Sequence, residues 1–185
     1  MPHHLESLVI RECRLRDVRF TGCRVARLEA CDVVFEDCEL SGAFISAAQL
    51  DRVEFHRCRM SGIDLSRATA QDVLFEDCRL DDANLRAATL LSVDIEGCGL
   101  RNADFYAARI ERSNVLRSDL TDADFSKCRL DRVLLHGSTL VDVKGAAALA
   151  GAIISRDQAM TLAPAVITAI GITVDDDFHD AATPD

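Results

Sequence analysis

No stretch of the 185 residues approaches the roughly 20 consecutive apolar side chains that a membrane span requires. The opening "MPHHLESLVI" lacks the basic and then apolar blocks of a secretory signal, so a cytoplasmic protein is expected. Excess positive charge is missing too: Lys+Arg number 21 against Asp+Glu 31, a formal net charge of −10 at pH 7. Direct nucleic-acid binding normally carries a basic footprint, and this balance argues against it. Cysteine, by contrast, is plentiful, at 8 residues. In a small secreted chain these would suggest a disulfide scaffold. Without an export signal they read as reduced thiols used as small apolar side chains. The length suits one domain or slightly more.

The usual periods are absent as well, and a period of five stands in their place. "VVFEDCELSG" at 33–42 returns as "VEFHRCRMSG" at 53–62 and "VLFEDCRLDD" at 73–82. Every multiple of five from Leu5 to Leu140 is apolar, and the residue two before each is mostly small, as in Cys38, Ala43, Ala48 and Val53. Centres from 5 to 140 in steps of five make 28 units, spanning 3–142 without insertion or deletion. Neither a helix of period 3.6 nor a strand of period 2 can bury such a pattern for long. Two inward residues two apart fit a short extended segment, and the gap of three to the next demands a corner. Four such sides close a square of twenty residues. Cys38, Cys58, Cys78 and Cys98 then form one inward column, Val33, Val53, Val73 and Val93 a second, and Phe35, Phe55 and Phe75 a third.

"ANLRA" at 83–87, "ADFYA" at 103–107 and "ADFSK" at 123–127 match the motif A(D/N)Lxx, and in this the chain resembles the pentapeptide repeat family over about three quarters of its length. The resemblance implies an all-β solenoid, a right-handed quadrilateral β-helix of about seven coils, roughly 34 Å long at ~4.8 Å per coil. The reading assigns 1–145 to the β-helix, 146–174 to a helical cap and dimerisation segment, and 175–185, "DDDFHDAATPD", to a disordered acidic tail.

Open solenoid ends need caps. After Val143 the phase fails, and "SRDQAMTLAPAVITAIGITV" reads as helix, with Ser155 and Gln158 in a capping-box pattern and Gly171 as the stop. Pro164 is expected to kink this helix or start a second one, and Ile172 and Val174 to form a short strand. Family members of this size commonly dimerise through such a segment, which nominates Met160, Val166, Ile167 and Ile170 as contacts; a monomeric cap is the alternative.

An uninterrupted rod of Leu, Phe, Val and Cys offers neither loops nor concavities for catalysis, so no enzyme, cofactor or metal is expected. Seven cysteines take the inward small position and should stay as free thiols, whereas Cys31 falls outside that register and reads as surface-reactive. His56 and His136 read as solvated outward residues. Two acidic faces are more informative. One carries Glu36, Asp37, Glu54, Glu76, Asp77, Asp94 and Glu96; the other gathers Asp64, Asp82, Asp104, Asp119, Asp122, Asp124 and Asp142. Basic residues cluster at Arg14, Arg16, Arg19, Arg24 and Arg27, and again at Arg109, Arg112, Arg129 and Arg132. Phe44 occupies an outward position usually held by Asp or Asn, and is the exposed apolar residue best placed to touch a partner.

The acidic ladders are similar to those of the MfpA/Qnr-like, fluoroquinolone-resistance branch of the family. That similarity implies a DNA mimic that engages DNA gyrase, a type II topoisomerase, and modulates it or protects it from inhibitors. B-DNA bears one charge per ~1.7 Å, so a rod with acidic ladders could occupy a DNA-binding saddle. The absence of projecting loops places the chain nearer the MfpA kind. The alternative is an interaction scaffold for some other protein partner.

Overall fold

The computed structural model describes residues 4–174. The five-residue period has its cause in the corners. From Glu12 to Asp142 the residues two past each centre, Arg27 excepted, take a left-handed backbone, with φ between 47° and 62° where the residue is not glycine. Eight of these positions hold aspartate and one asparagine, residues that tolerate this conformation better than most L side chains. Part of the chain's acidity is therefore a conformational requirement.

Strands β1 (His4–Leu5), β2 (Leu8–Arg16), β3 (Arg24–Val25), β4 (Leu28–Glu36), β5 (Gln49–His56), β6 (Thr69–Glu76) and β7 (Thr89–Glu96) pair in parallel. Shorter segments β8 (Arg109–Glu111), β9 (Asn114–Leu116), β10 (Arg129–Asp131) and β11 (Val133–Leu134) continue the stack. The register is twenty residues, as in Val33↔Val53 and Phe35↔Phe55↔Phe75. The inward columns are therefore those read from the sequence. Phe35 and Phe55 stack with ring centroids 4.8 Å apart, Phe55 and Phe75 at 4.9 Å, and Phe105 and Phe125 at 5.0 Å. Met60, Leu80, Leu100 and Leu120 fill another column and are fully buried.

The solenoid makes about eight turns, one more than the seven expected. The extra turn comes from β12 (Ala152–Ile153), which pairs Val133↔Ala152, an offset of 152 − 133 = 19 residues. The lost residue lies near Gly145, whose φ of 71° opens a 3-10 turn over Ala146–Leu149. A β-carbon at 145 would run into the Ser126 backbone, so glycine is required there.

Helix α1 (Arg156–Ala169) follows. Its capping box is formed: the Gln158 N–H donates to the Ser155 hydroxyl (3.3 Å), and the Ser155 N–H to the Gln158 side-chain oxygen (2.8 Å). At the other end Gly171 N–H donates to Thr168 and Ile172 N–H to Ile167, both at 3.0 Å, closing the helix with Gly171 at φ 81°. Two expectations are corrected here. Pro164 starts no second helix, since it lies inside the single helix Arg156–Ala169, and Ile172 and Val174 form no strand, because no described neighbour offers them a ladder. The segment 175–185, expected as an acidic tail, lies outside the described residues.

Candidate functional site

The inward small position turns out to be a polar device. Two corners of each coil close with a turn bond, as where Ala43 N–H donates to Leu40 (3.0 Å) and Ala48 N–H to Ile45 (3.3 Å), and alanine suffices there. The corner before Cys58 has no such bond. Its N–H donates to the Cys78 Sγ (3.3 Å), Cys78 N–H to the Cys98 Sγ (3.3 Å), and Cys98 N–H to the Ser118 hydroxyl (3.0 Å). Ser118 N–H donates to the Ser138 hydroxyl (3.1 Å), which donates to the Val115 carbonyl (2.8 Å). Reading these cysteines as apolar fillers missed the ladder; the signal was the replacement of Cys by Ser in the same column at 118 and 138. All eight cysteines are free. Hydrogen bonds with Cys58 and Cys98, together with burial, hold the Cys78 thiol far above its ordinary pKa, and burial pushes Cys128 up to about 11. Cys31 is also no activated thiol: its hydrogen bond to Asp32 (3.2 Å) raises its pKa despite the Arg52 guanidinium 3.0 Å away.

The first acidic face is largely neutralised. Glu36 accepts from Arg16 (2.7 Å) and Arg57 (2.6 Å), which hold its pKa down to about 2. Arg57 also grips Asp37 (2.9 Å), Arg117 pairs with Glu96, and Asn114 donates to Asp94 (2.7 Å). His56 is not solvated. Its side chain is 19% exposed, with Nδ1 2.7 Å from Glu76 and Nε2 2.8 Å from Glu54. Burial alone would lower its pKa, but the two carboxylates outweigh that, and the net displacement is upward. Asp77 has no cation within ion-pair distance among the described residues.

The second face is built differently. Asp64, Asp104, Asp119 and Asp124 each accept the N–H two residues on, from Ser66 (2.9 Å), Tyr106 (2.9 Å), Thr121 (3.0 Å) and Ser126 (2.8 Å). Asn84 does the same for Arg86 (3.2 Å), so the role needs an oxygen and not a charge. Asp82, Asp122 and Asp142 sit at left-handed corners beside them. Arg86 pairs with Asp104 (2.8 Å) and Arg101 with Asp119 (3.0 Å); Asp122 and Asp142 have no cation partner among the described residues. Burial pulls the Asp119 pKa up, but Thr121 and Arg101 outweigh it and the net direction is down.

Phe44 is 42% exposed and carries the Arg24 guanidinium 4.0 Å from its ring centroid, so one of its faces is occupied. At the carboxy end, the Gln158 amide turns inward and donates to the Leu135 and Ser138 carbonyls, while Leu162 packs into the core. Met160 and Ile170 are exposed at 73% and 61%; Val166 packs against the core and Ile167 is half-buried. Ile153 and Val141, which the sequence reading left out, join the exposed apolar group. A groove of about 470 Å³ lined by Leu149, Leu162, Val166 and Ile170 opens beside it, and a polar cleft of about 590 Å³ lies between Asp17, Arg19, Glu39 and Arg59.

Among the described residues no group of three or more His, Cys, Asp or Glu is arranged to hold a metal, and no helix is long and apolar enough to cross a membrane. A family model described as "Pentapeptide repeat region" matches residues 29–105 and 48–125, together 29–125. No curated protein sequence matches the chain. Solved structures that match include HetL, a pentapeptide repeat protein involved in heterocyst differentiation regulation from the cyanobacterium Nostoc sp. strain PCC 7120. It is 19% identical with a TM-score of 0.39, over 77% of this chain and 86% of that one. Another is QnrB1, a plasmid-mediated fluoroquinolone resistance protein, 18% identical with a TM-score of 0.35, over 93% and 100% of the two chains. A third is a pentapeptide repeat protein from the Arabidopsis thaliana thylakoid lumen, 15% identical with a TM-score of 0.26, over 84% and 77%.

Proposed function

The chain belongs to the pentapeptide repeat family, and from that premise we propose that it is a cytoplasmic, non-enzymatic protein-binding rod whose partner face is the second aspartate group. The observation that carries this reading is the concentration of Asp104, Asp119, Asp122, Asp124 and Asp142 on neighbouring coils, with Asp122 and Asp142 uncompensated. A column of charge repeating at the coil spacing suits a basic surface built for nucleic-acid phosphates. The partner proposed is a type II topoisomerase such as DNA gyrase, bound in the manner of a DNA mimic. The first face is the less favoured of the two: Glu36, Asp37 and Glu96 pair with Arg16, Arg57 and Arg117, and Glu54 and Glu76 share His56, whereas on the second face Arg86 and Arg101 meet only Asp104 and Asp119.

The rod is further proposed to form a homodimer through its carboxy-terminal segment, supported by the exposed side chains of Met160, Ile170 and Ile172 and by the apolar groove lined by Leu162, Val166 and Ile170. A two-fold pair of rods would match a two-fold symmetric enzyme.

The test separates charge from fold. Asp104→Asn, Asp119→Asn and Asp124→Asn together should keep the turns, as Asn84 does, and remove the charge. In a gyrase supercoiling assay, with and without a fluoroquinolone, the native chain should alter product or drug-induced cleavage, and the triple variant should lose the effect at unchanged melting temperature. No effect of the native chain in either readout would leave an interaction rod with a different partner.

A further inference from the structure

The two ends of the solenoid carry opposite chemistry, and the amino-terminal end is unfinished. Glu39 shows what a complete coil does there: its N–H donates to the Val18 carbonyl (2.9 Å), and its carbonyl accepts from the Phe20 N–H (2.7 Å). Arg19 sits one coil earlier in the same column, and among the described residues neither its N–H nor its carbonyl has a backbone partner. Strand β2 likewise pairs with β4 on one side only, which leaves a nine-residue parallel edge free among the described residues.

The core behind that edge is also open. Leu8, Ile10, Leu15 and Phe20 are half-buried, whereas their column mates Leu28, Leu40 and Phe35 are buried, and Val9 is 51% exposed. Around this floor the charge is inverted. Residues 4–27 contain six arginines against Glu6, Glu12 and Asp17, in a chain whose net charge is −10. Arg16 is taken by Glu36, and Arg11 and Arg14 lie loosely, 3.9 and 3.7 Å from Glu29 and Glu36. Arg19 and Arg27 have no carboxylate within ion-pair distance among the described residues.

We propose that the first coil is a docking edge for an extended acidic segment of a partner protein, added as one more parallel strand beside β2. Its backbone would satisfy the free edge of β2 and, by turning with the chain at the Asp17 corner, the Arg19 N–H and carbonyl. Between corners alternate side chains point to opposite faces, so the added segment must repeat the coil's own spacing: apolar residues opposite Leu8, Ile10, Cys13 and Leu15 would close the floor, while acidic residues between them meet Arg11, Arg14 and Arg19. A second copy docking by the same end is disfavoured, because it would set one arginine cluster against another. This edge lies at the opposite end of the rod from α1 and does not depend on the aspartate face.

The experiment uses the full chain and three labelled probes: a twelve-residue peptide with valine opposite positions 8, 10, 13, 15 and 18, glycine opposite the corners at 12 and 17 and aspartate elsewhere, the same peptide with lysine for aspartate, and a DNA duplex. Fluorescence anisotropy should show the acidic peptide binding and weakening as salt rises, with no binding of the lysine peptide. Arg14→Glu with Arg19→Glu, both exposed and foldable by circular dichroism, should weaken it about tenfold or more, by analogy with charge pairs at interfaces. Hydrogen exchange of the Arg19 amide should slow when the peptide is bound, which a loose electrostatic contact would not produce. Equal binding of both peptides, preference for the DNA, no binding of the acidic peptide, or an Arg19 amide already protected through self-association would each overturn the proposal.

Discussion

At its carboxy-terminal end the rod hands the Leu135 and Ser138 carbonyls to Gln158 and lays Leu149 and Leu162 over the last coil, whereas at its amino-terminal end Leu8, Ile10 and Phe20 stay half-buried and the Arg19 backbone has no backbone partner among the described residues. Both ends began with the same difficulty, a ladder that stops and a core in cross-section. The contrast shows that a solenoid's stability is distributed by neighbour contacts: each coil is as firm as the coils that flank it. Opening should therefore start at β2 and travel toward α1.

The largest expected effect comes from breaking the covered end. Leu162→Asp places an unpaired charge in a site 3% exposed, and a loss of about 3 kcal/mol or more is expected in urea melts. Leu15→Asp, in the half-buried first coil, should cost clearly less. Equal losses would mean the two ends are equally packed. Next in size is Gln158→Leu, which keeps volume but removes the capping box and orphans the Ser138 carbonyl, while Leu135 keeps the Ser138 N–H, and should cost about 1–3 kcal/mol.

Between the ends, Cys78→Ala strips the acceptor from the Cys58 N–H and should cost about 1–3 kcal/mol, while Cys78→Ser should be nearly neutral, as Ser118 and Ser138 suggest. If alanine were tolerated as well as serine, the thiol ladder would be packing alone. Amide exchange across successive coils should then grade from fast near Leu8 to slow near Leu100, without changing total stability. The smallest effect is a pH dependence. The His56 pKa is raised in the folded chain, so its contribution is complete below the ordinary histidine value of about 6.5 and fades as pH rises through the folded value. His56→Gln should flatten the part of the stability profile that lies above the ordinary histidine value.

How much of this could be read in the residues follows from what repeats. Phe35, Phe55 and Phe75 declare their column because identical side chains recur at the coil period, and the capping box at Ser155 and Gln158 is a local signature. The extra turn at β12 was hidden, since it depends on a register slip at Gly145 that no apolar spacing marks. His56 was misread because its partners, Glu54 and Glu76, lie two and twenty residues away, and only stacking joins them. The acidic faces looked alike as sequence. Their difference lies in which acids stand one coil from an arginine, as Glu36 does from Arg16, and which fold back onto their own turn, as Asp124 does onto Ser126.

The constant twenty-residue register has a consequence for how such a chain can change. Removing residues 64–83 would join like to like and leave both termini chemically untouched, while drawing them closer by one layer, about the 4.8 Å that separates the rings of Phe35 and Phe55. Length in this molecule is a quantised variable, adjustable in whole steps by duplication or deletion. The distance between its basic tip and its helical end can thus be tuned to a partner like a ruler cut only at its marks.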